Sequence, residues 1–196
     1  MDKDFSGPKL YHHAVGMKSL LAQRPLTAKP PTDLPDFRLA ADITRASRCA
    51  RVWPKAKPRG LAAKAGLRYE ERVHKELLWH CQRGNAIRVE HNPWFNFHDV
   101  FGTSNCSPDF LLWLANDKVI VIEVKLTWVA VAAHKLTDLY APVIGHALQG
   151  EANGISPLVI CRNITREAPT ASYSLREALA SPFRLLQWPD NGRMQW

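Results

Sequence analysis

The run 119–126, VIVIEVKL, constrains this chain more than any other stretch. It is apolar at every position except Glu123 and Lys125. A strand that is apolar on both faces belongs in the middle of a covered sheet, so the run predicts a central strand. Charges placed inside such a strand are costly unless they are paired, bound to a metal or neutralised. Side chains alternate faces with a rise of about 3.3 Å per residue, so Glu123 and Lys125 point the same way, roughly 7 Å apart.

Asp109 lies upstream, before the short apolar run 110–114 and the polar turn Asn116-Asp117. If the two runs form an antiparallel hairpin, the loop decides whether Asp109 joins the pair. A two-residue loop sets Asp109 opposite Val124, on the wrong face. An odd loop over residues 115–117, or a bulge, sets it across from Glu123. The alternative is an ion pair of Glu123 and Lys125 on a half-exposed edge strand, with Asp109 only capping a turn.

At these residues the chain resembles the PD-(D/E)XK, or restriction-endonuclease-like, nuclease superfamily. Pro108-Asp109 matches the PD and Glu123-Val124-Lys125 the ExK, with 13 residues between Asp109 and Glu123. The resemblance covers about residues 61–161. It implies a mixed α/β fold, a mixed sheet flanked by helices with the core order αβββαβ. It also implies hydrolysis of DNA phosphodiesters at a Mg²⁺ site, with Mn²⁺ able to substitute. Asp109, Glu123 and the Val124 carbonyl would be ligands and Lys125 the group that orients the attacking water. Carboxylates with substrate phosphate and water are the usual ligands of Mg²⁺. Phosphate loops, GxSxG elbows, HExxH and GxGxxG motifs are absent from the sequence.

The helix expected over residues 61–81 supplies a further acid. Glu70 follows Gly66 by four residues and precedes Val73 and Leu77 by three and seven, so it shares their face, with Glu71 on the adjacent strip. Gly66 to Glu70 fits the G-x-x-x-E setting of the resembled superfamily, in which this acid binds a second ion or holds a water or the lysine. The alternative is an exposed Glu70 paired with Arg68 or His74.

Charge points to the same partner class. The net +8 is concentrated: residues 38–75 hold eleven Lys or Arg against three acids. A basic field of that size beside a carboxylate cluster suits a polyanion, with DNA expected before RNA, although a solvated surface is the plain alternative. Arg45, Arg48 and Arg51 recur every third residue and predict one side of a helix over 37–53. Lys55, Lys57 and Arg59 follow in a basic loop, and Lys64 and Lys135 complete the expected phosphate contacts, with His134 and His146 as weaker ones.

The remaining segments frame this core. Residues 1–36 read as a proline-rich arm suited to docking on a larger assembly, 37–60 as a basic helix and loop, 61–188 as the nuclease core, and 189–196 as a tail. Residues 86–90 and 94–97 read as strands interrupted at Asn92-Pro93. A helix follows Lys125, kinked or split by Pro142, and Pro157–Cys161 returns as a strand. Leu136, four before Tyr140, stands where some nucleases of the superfamily carry Gln, so an exonuclease signature is missing. Ser174 and Glu177 form a capping box, and 183–188 reads as an edge strand.

Four scattered cysteines without a CxxC pair disfavour structural zinc. No apolar run reaches about 18 residues and the N-terminus lacks a signal-peptide pattern, so the expected setting is the cytoplasm, of a host cell if the gene is carried by a phage or mobile element. A protein that keeps such a fold and binds nucleic acid without cutting it is the alternative function.

Overall fold

The computed structural model describes residues 40–52 and 60–196. The fold is mixed α/β, built on two sheets. The larger sheet has strand order β2-β5-β6-β7-β8, formed by Arg88–His91, Phe110–Trp113, Lys118–Thr127, Gly154–Asn163 and Leu185–Gln187. Strands β2, β5 and β6 run antiparallel in turn, whereas β6, β7 and β8 are parallel. A smaller antiparallel sheet, β1-β3-β4, is made by Arg45–Cys49, Trp94–Asp99 and Gly102–Cys106.

Strand β6 is central, with β5 on one side and β7 on the other, and its residues from Val119 to Val124 are all buried. The two-sided apolar run therefore does what its composition demands. Odd-numbered Leu111, Trp113, Val119 and Val121 pack with Phe95 and Phe97 of the small sheet and with a helical segment after β6. Even-numbered Phe110, Leu112, Ile120 and Ile122 pack against Tyr69, Val73 and Leu77 of α1, Gly60–Gln82. These two cores make the large sheet the middle layer. Truncating a buried Leu or Ile in either costs about 2–5 kcal/mol.

Parallel strands cannot be joined by a tight turn, so a helical crossover links β6 to β7. It runs as α2, Ala130–Lys135, then a π-helical turn, Leu136–Tyr140, then α3, Ala141–Ala147. Pro142 sits in the first turn of α3, where its missing N–H costs little. The crossover is thus split, but by a π turn just before the proline. In β7, Val159 donates to the Arg184 carbonyl at 2.9 Å. The nitrogen of Pro157, two residues earlier, faces the same side, beyond the pairing of β8, which joins only Val159–Cys161.

One expected element changes type. Residues 45–49 form strand β1, paired Arg45↔His98 to Cys49↔Trp94, instead of part of a basic helix. Ile43, Ala46 and Ala50 do recur at helical spacing, so the local pattern permits a helix, and the tertiary pairing with β3 overrides it. Pairing along β3 satisfies the backbone instead. Arg45 and Arg48 fall on opposite faces as a result. Strand β4 also has a weak sequence signal, because GTSNC has little apolar alternation.

The last residues are held against α1. Glu76 accepts from Arg193 Nη1 at 2.7 Å and from the Met194 N–H at 3.0 Å, and Met194 is buried. His80 Nε2 donates to the Met194 carbonyl at 3.0 Å while its Nδ1 accepts from Asn85 at 3.1 Å, which fixes the Nε2–H tautomer. Tyr69 donates to the Trp188 carbonyl at 2.8 Å. Helix α4, Leu175–Ala180, opens on Ser174, whose Oγ accepts from the Glu177 N–H at 3.3 Å.

Candidate active site

The β5–β6 hairpin decides the site. Its register runs Phe110↔Ile122 to Trp113↔Val119, and Leu114 N–H reaches the Lys118 carbonyl at 2.9 Å. The loop is therefore the three residues Ala115, Asn116 and Asp117. Asp117 N–H donates to the Leu114 carbonyl at 3.1 Å, and Asp117 takes the left-handed φ of 57° that closes a turn of this kind. Extending this register by one pair sets Asp109 opposite Glu123, on one face with Lys125.

The side chains follow the backbone. Asp109 Oδ2 accepts from the Val124 N–H at 2.7 Å. Glu123 is 1% exposed, and its Oε1 receives Lys125 Nζ at 2.6 Å and Lys135 Nζ at 3.4 Å. Lys135 comes from the end of α2, and its ammonium stands 5.0 Å from the Tyr140 ring centroid. Glu123 Oε2 is buried with no hydrogen-bond partner.

Electrostatics register how closely these groups stand. Burial, then the charge of Glu123 and that of Glu70, push the Asp109 carboxyl up to about 7, against the opposing pull of Lys125 and the Val124 N–H. Burial alone would lower the Lys125 pKa, but Glu123, Asp109 and Glu70 overcome it and raise the value, so this lysine stays charged. Asp109, Glu123 and nearby Glu70 outnumber Lys125 and Lys135, an imbalance that an added cation relieves.

Glu70 lies at the flank of the cluster. It is half-buried at the edge of the α1 face whose centre is Tyr69, Val73 and Leu77, and Glu71 is exposed beside it. Its Oε1 contacts His91 Nε2 at 2.8 Å and Asn92 Nδ2 at 3.4 Å, so it is neither exposed nor paired with Arg68 or His74. His91 in turn stacks on Phe110, centroids 4.8 Å apart, and Asn92 N–H donates to the Asp109 carbonyl at 2.8 Å. Among the described residues, no group of three or more His, Cys, Asp and Glu side chains is placed to hold a metal ion. The fold brings Asp109 and Glu123 together, while Glu70 is turned into its His91 and Asn92 contacts. Nothing in the linear spacing ties His91 to Glu70, so this contact leaves no trace in the sequence.

The basic residues divide in three ways. Arg45 is exposed on β1 and Lys64 on α1. Arg48 is engaged: it forms an ion pair with Glu90 and lies 5.5 Å from the Phe95 ring, while Glu90 also accepts from Trp113 Nε1 at 2.7 Å. Arg51 is exposed beyond β1. Lys55, Lys57 and Arg59 lie outside the described residues, as does the proline-rich arm. Lys135 belongs to the carboxylate cluster, whereas His134 contacts Asp138 at 3.2 Å on the outside of the crossover. On α1, Lys64, Arg68, Arg72 and Lys75 form an exposed stripe, with Arg72 paired to Asp190.

Among the described residues no helix is long and apolar enough to cross a membrane. No protein-family model, no curated protein and no solved structure matches the chain.

Proposed function

We propose that this protein is a metal-dependent nuclease that hydrolyses DNA phosphodiesters by a PD-(D/E)XK mechanism. The observation that carries the reading is the Asp109 carboxylate, held on the Val124 N–H, close to Glu123, whose buried Oε2 has no partner and whose Oε1 takes Lys125. A buried carboxylate oxygen with no partner costs about 1–3 kcal/mol, more when charged, and a cation removes that cost. The donors fit a hard divalent ion: Asp109 and Glu123, with the Val124 carbonyl as the resemblance implies, would hold Mg²⁺ or Mn²⁺. Such an ion lowers the pKa of bound water and polarises phosphoryl oxygen. Lys125, kept charged by its neighbours, would orient the attacking water and offset charge developing on the phosphate. Glu70, held by His91 and Asn92, adds a smaller share to the negative potential by which Glu123 and Asp109 raise the Lys125 pKa.

The exposed stripe of α1 and Arg45 supply the positive field for a phosphate backbone. DNA is the expected substrate, with RNA second, and the setting is the cytoplasm, in a phage or mobile-element context. Incubating plasmid and oligonucleotide DNA with the protein in Mg²⁺, Mn²⁺ or EDTA, beside a Glu123→Ala/Lys125→Ala variant, tests the reading. Metal-dependent cleavage lost in the variant supports it; no cleavage in either metal, with DNA binding intact, overturns it.

A second reading has its own observation. Two lysines already compensate Glu123 Oε1, which is also what a non-cleaving DNA-binding protein, docked through its arm on a larger assembly, would retain. In that case cleavage is absent and binding survives Glu123→Ala.

A further inference from the structure

The crossover between β6 and β7 contains a π turn at Leu136–Tyr140, with the Ala141 N–H donating to the Leu136 carbonyl five residues back. Turns of this kind are rare and gather at functional sites. Here the turn has a definite geometric effect. In an α-helix, residues five apart are separated by about 1.4 turns and point to different sides. Widening the turn to a five-residue bond brings Lys135 and Tyr140 onto one side, where the ammonium sits 5.0 Å from the ring centroid.

Tyr140 is itself anchored. Its ring is buried and its hydroxyl donates to the Ser107 carbonyl at 2.8 Å, two residues before Asp109. The ring thus braces the crossover against the entry to β5 and aims Lys135 at the face carrying Asp109 and Glu123. The lysine is only loosely committed there. Its contact with Glu123 Oε1 is 3.4 Å, against 2.6 Å for Lys125, and its side chain is 29% exposed. A cation held in place from below by an aromatic face, with donors left over and an opening to solvent, is built to receive an anion.

We propose that Lys135, seated over Tyr140 by the π turn, is a substrate-phosphate contact of this site, holding a DNA phosphodiester beside Asp109 and Glu123. The role assigned to it rests on the nuclease reading, but its DNA contact is measurable without cleavage. Lys125 remains with the carboxylates, while Lys135 exchanges its long contact with Glu123 for the phosphate.

The test is fluorescence anisotropy of a labelled DNA duplex in EDTA and in Ca²⁺, across a salt series, for the wild type, Lys135→Met, Lys135→Arg, Glu123→Gln and Glu123→Gln/Lys135→Met. Loss of one phosphate contact predicts weakening by about tenfold and a salt slope smaller by about one, uniformly across sequences. Lys135→Arg keeps the slope. The same loss is expected between Glu123→Gln and the double variant, where Glu123 no longer carries a charge for Lys135 to neutralise. That second comparison also serves if Lys135→Met alone folds poorly. Unchanged affinity and slope in Lys135→Met overturn the proposal. So does a loss that disappears in the Glu123→Gln background, which makes Lys135 a counter-ion only. If the wild type shows no metal-dependent cleavage yet Lys135→Met lowers the slope, the nuclease reading fails while the phosphate contact stands.

Discussion

Glu76 and Glu123 are both buried carboxylates, 8% and 1% exposed, yet they are finished differently. Each oxygen of Glu76 has a partner: Arg193 on one, the Met194 N–H on the other. Glu123 crowds two lysines onto one oxygen and leaves the second with none. The first is a closed clasp between α1 and the C-terminal residues. The second leaves one buried oxygen open, and that opening is what the proposed metal site rests on.

Substitution should separate the two most sharply in activity. Glu123→Ala is expected to lower metal-dependent cleavage by about a thousandfold or more, because the ion's holder is removed. Its melting temperature should move little, since Lys125 and Lys135, 33% and 29% exposed, can turn to water. Glu76→Ala is the converse. It strands the buried Met194 N–H and breaks a partly buried pair, a loss of about 2–3 kcal/mol that lowers the melting temperature by about 4–12 °C. Any cleavage activity should survive at temperatures where the variant is folded. Equal thermal losses in the two variants would erase the distinction.

Smaller effects follow from titration. Asp109 has its folded pKa raised from 3.8 to about 7, so the folded protein favours the protonated form. That contribution is fully present below pH 3.8 and is lost as pH rises through about 7. Asp109→Asn should therefore be more stable than the wild type at pH 8 in EDTA, by on the order of 1–3 kcal/mol, with the advantage gone near pH 4. Thermal melts across that range measure it, and a wild-type advantage at pH 8 would contradict the burial account. His80 has the opposite sign. Burial lowers its pKa below 6.5, so the clasp's stability is present above 6.5 and falls as pH drops through the folded value. His80→Gln should flatten the fall in melting temperature that sets in below pH 6.5.

How much of this was legible in the chain depends on the kind of signal. Strand β6 announced itself because two-sided apolarity has one common cause. Helix α1 was expected at 61–81 and spans Gly60–Gln82, since Tyr69, Val73 and Leu77 recur at helical spacing. The alignment of Asp109 with Glu123 was readable as a condition on one loop, and the loop has the odd length. Other features depend on distant partners and leave little local trace. Strand β1 forms because β3 offers an edge, and Arg48 is engaged because Glu90 lies beside it. Met194 is buried because Glu76 and His80 await it on α1. The Lys135–Tyr140 contact is invisible to any count based on 3.6 residues per turn, since only the π turn creates it.

The three-residue loop at Ala115–Asp117 has a consequence for how this protein tolerates change. Both faces of β5 and β6 are apolar, so sliding one strand past the other by a single residue still buries hydrocarbon on each side. A deletion of Asn116 could thus yield a chain that expresses, melts cooperatively and passes every screen for folding, with Asp109 facing the wrong layer. Stability cannot proofread that count. On the nuclease reading, selection for cleavage is what keeps it.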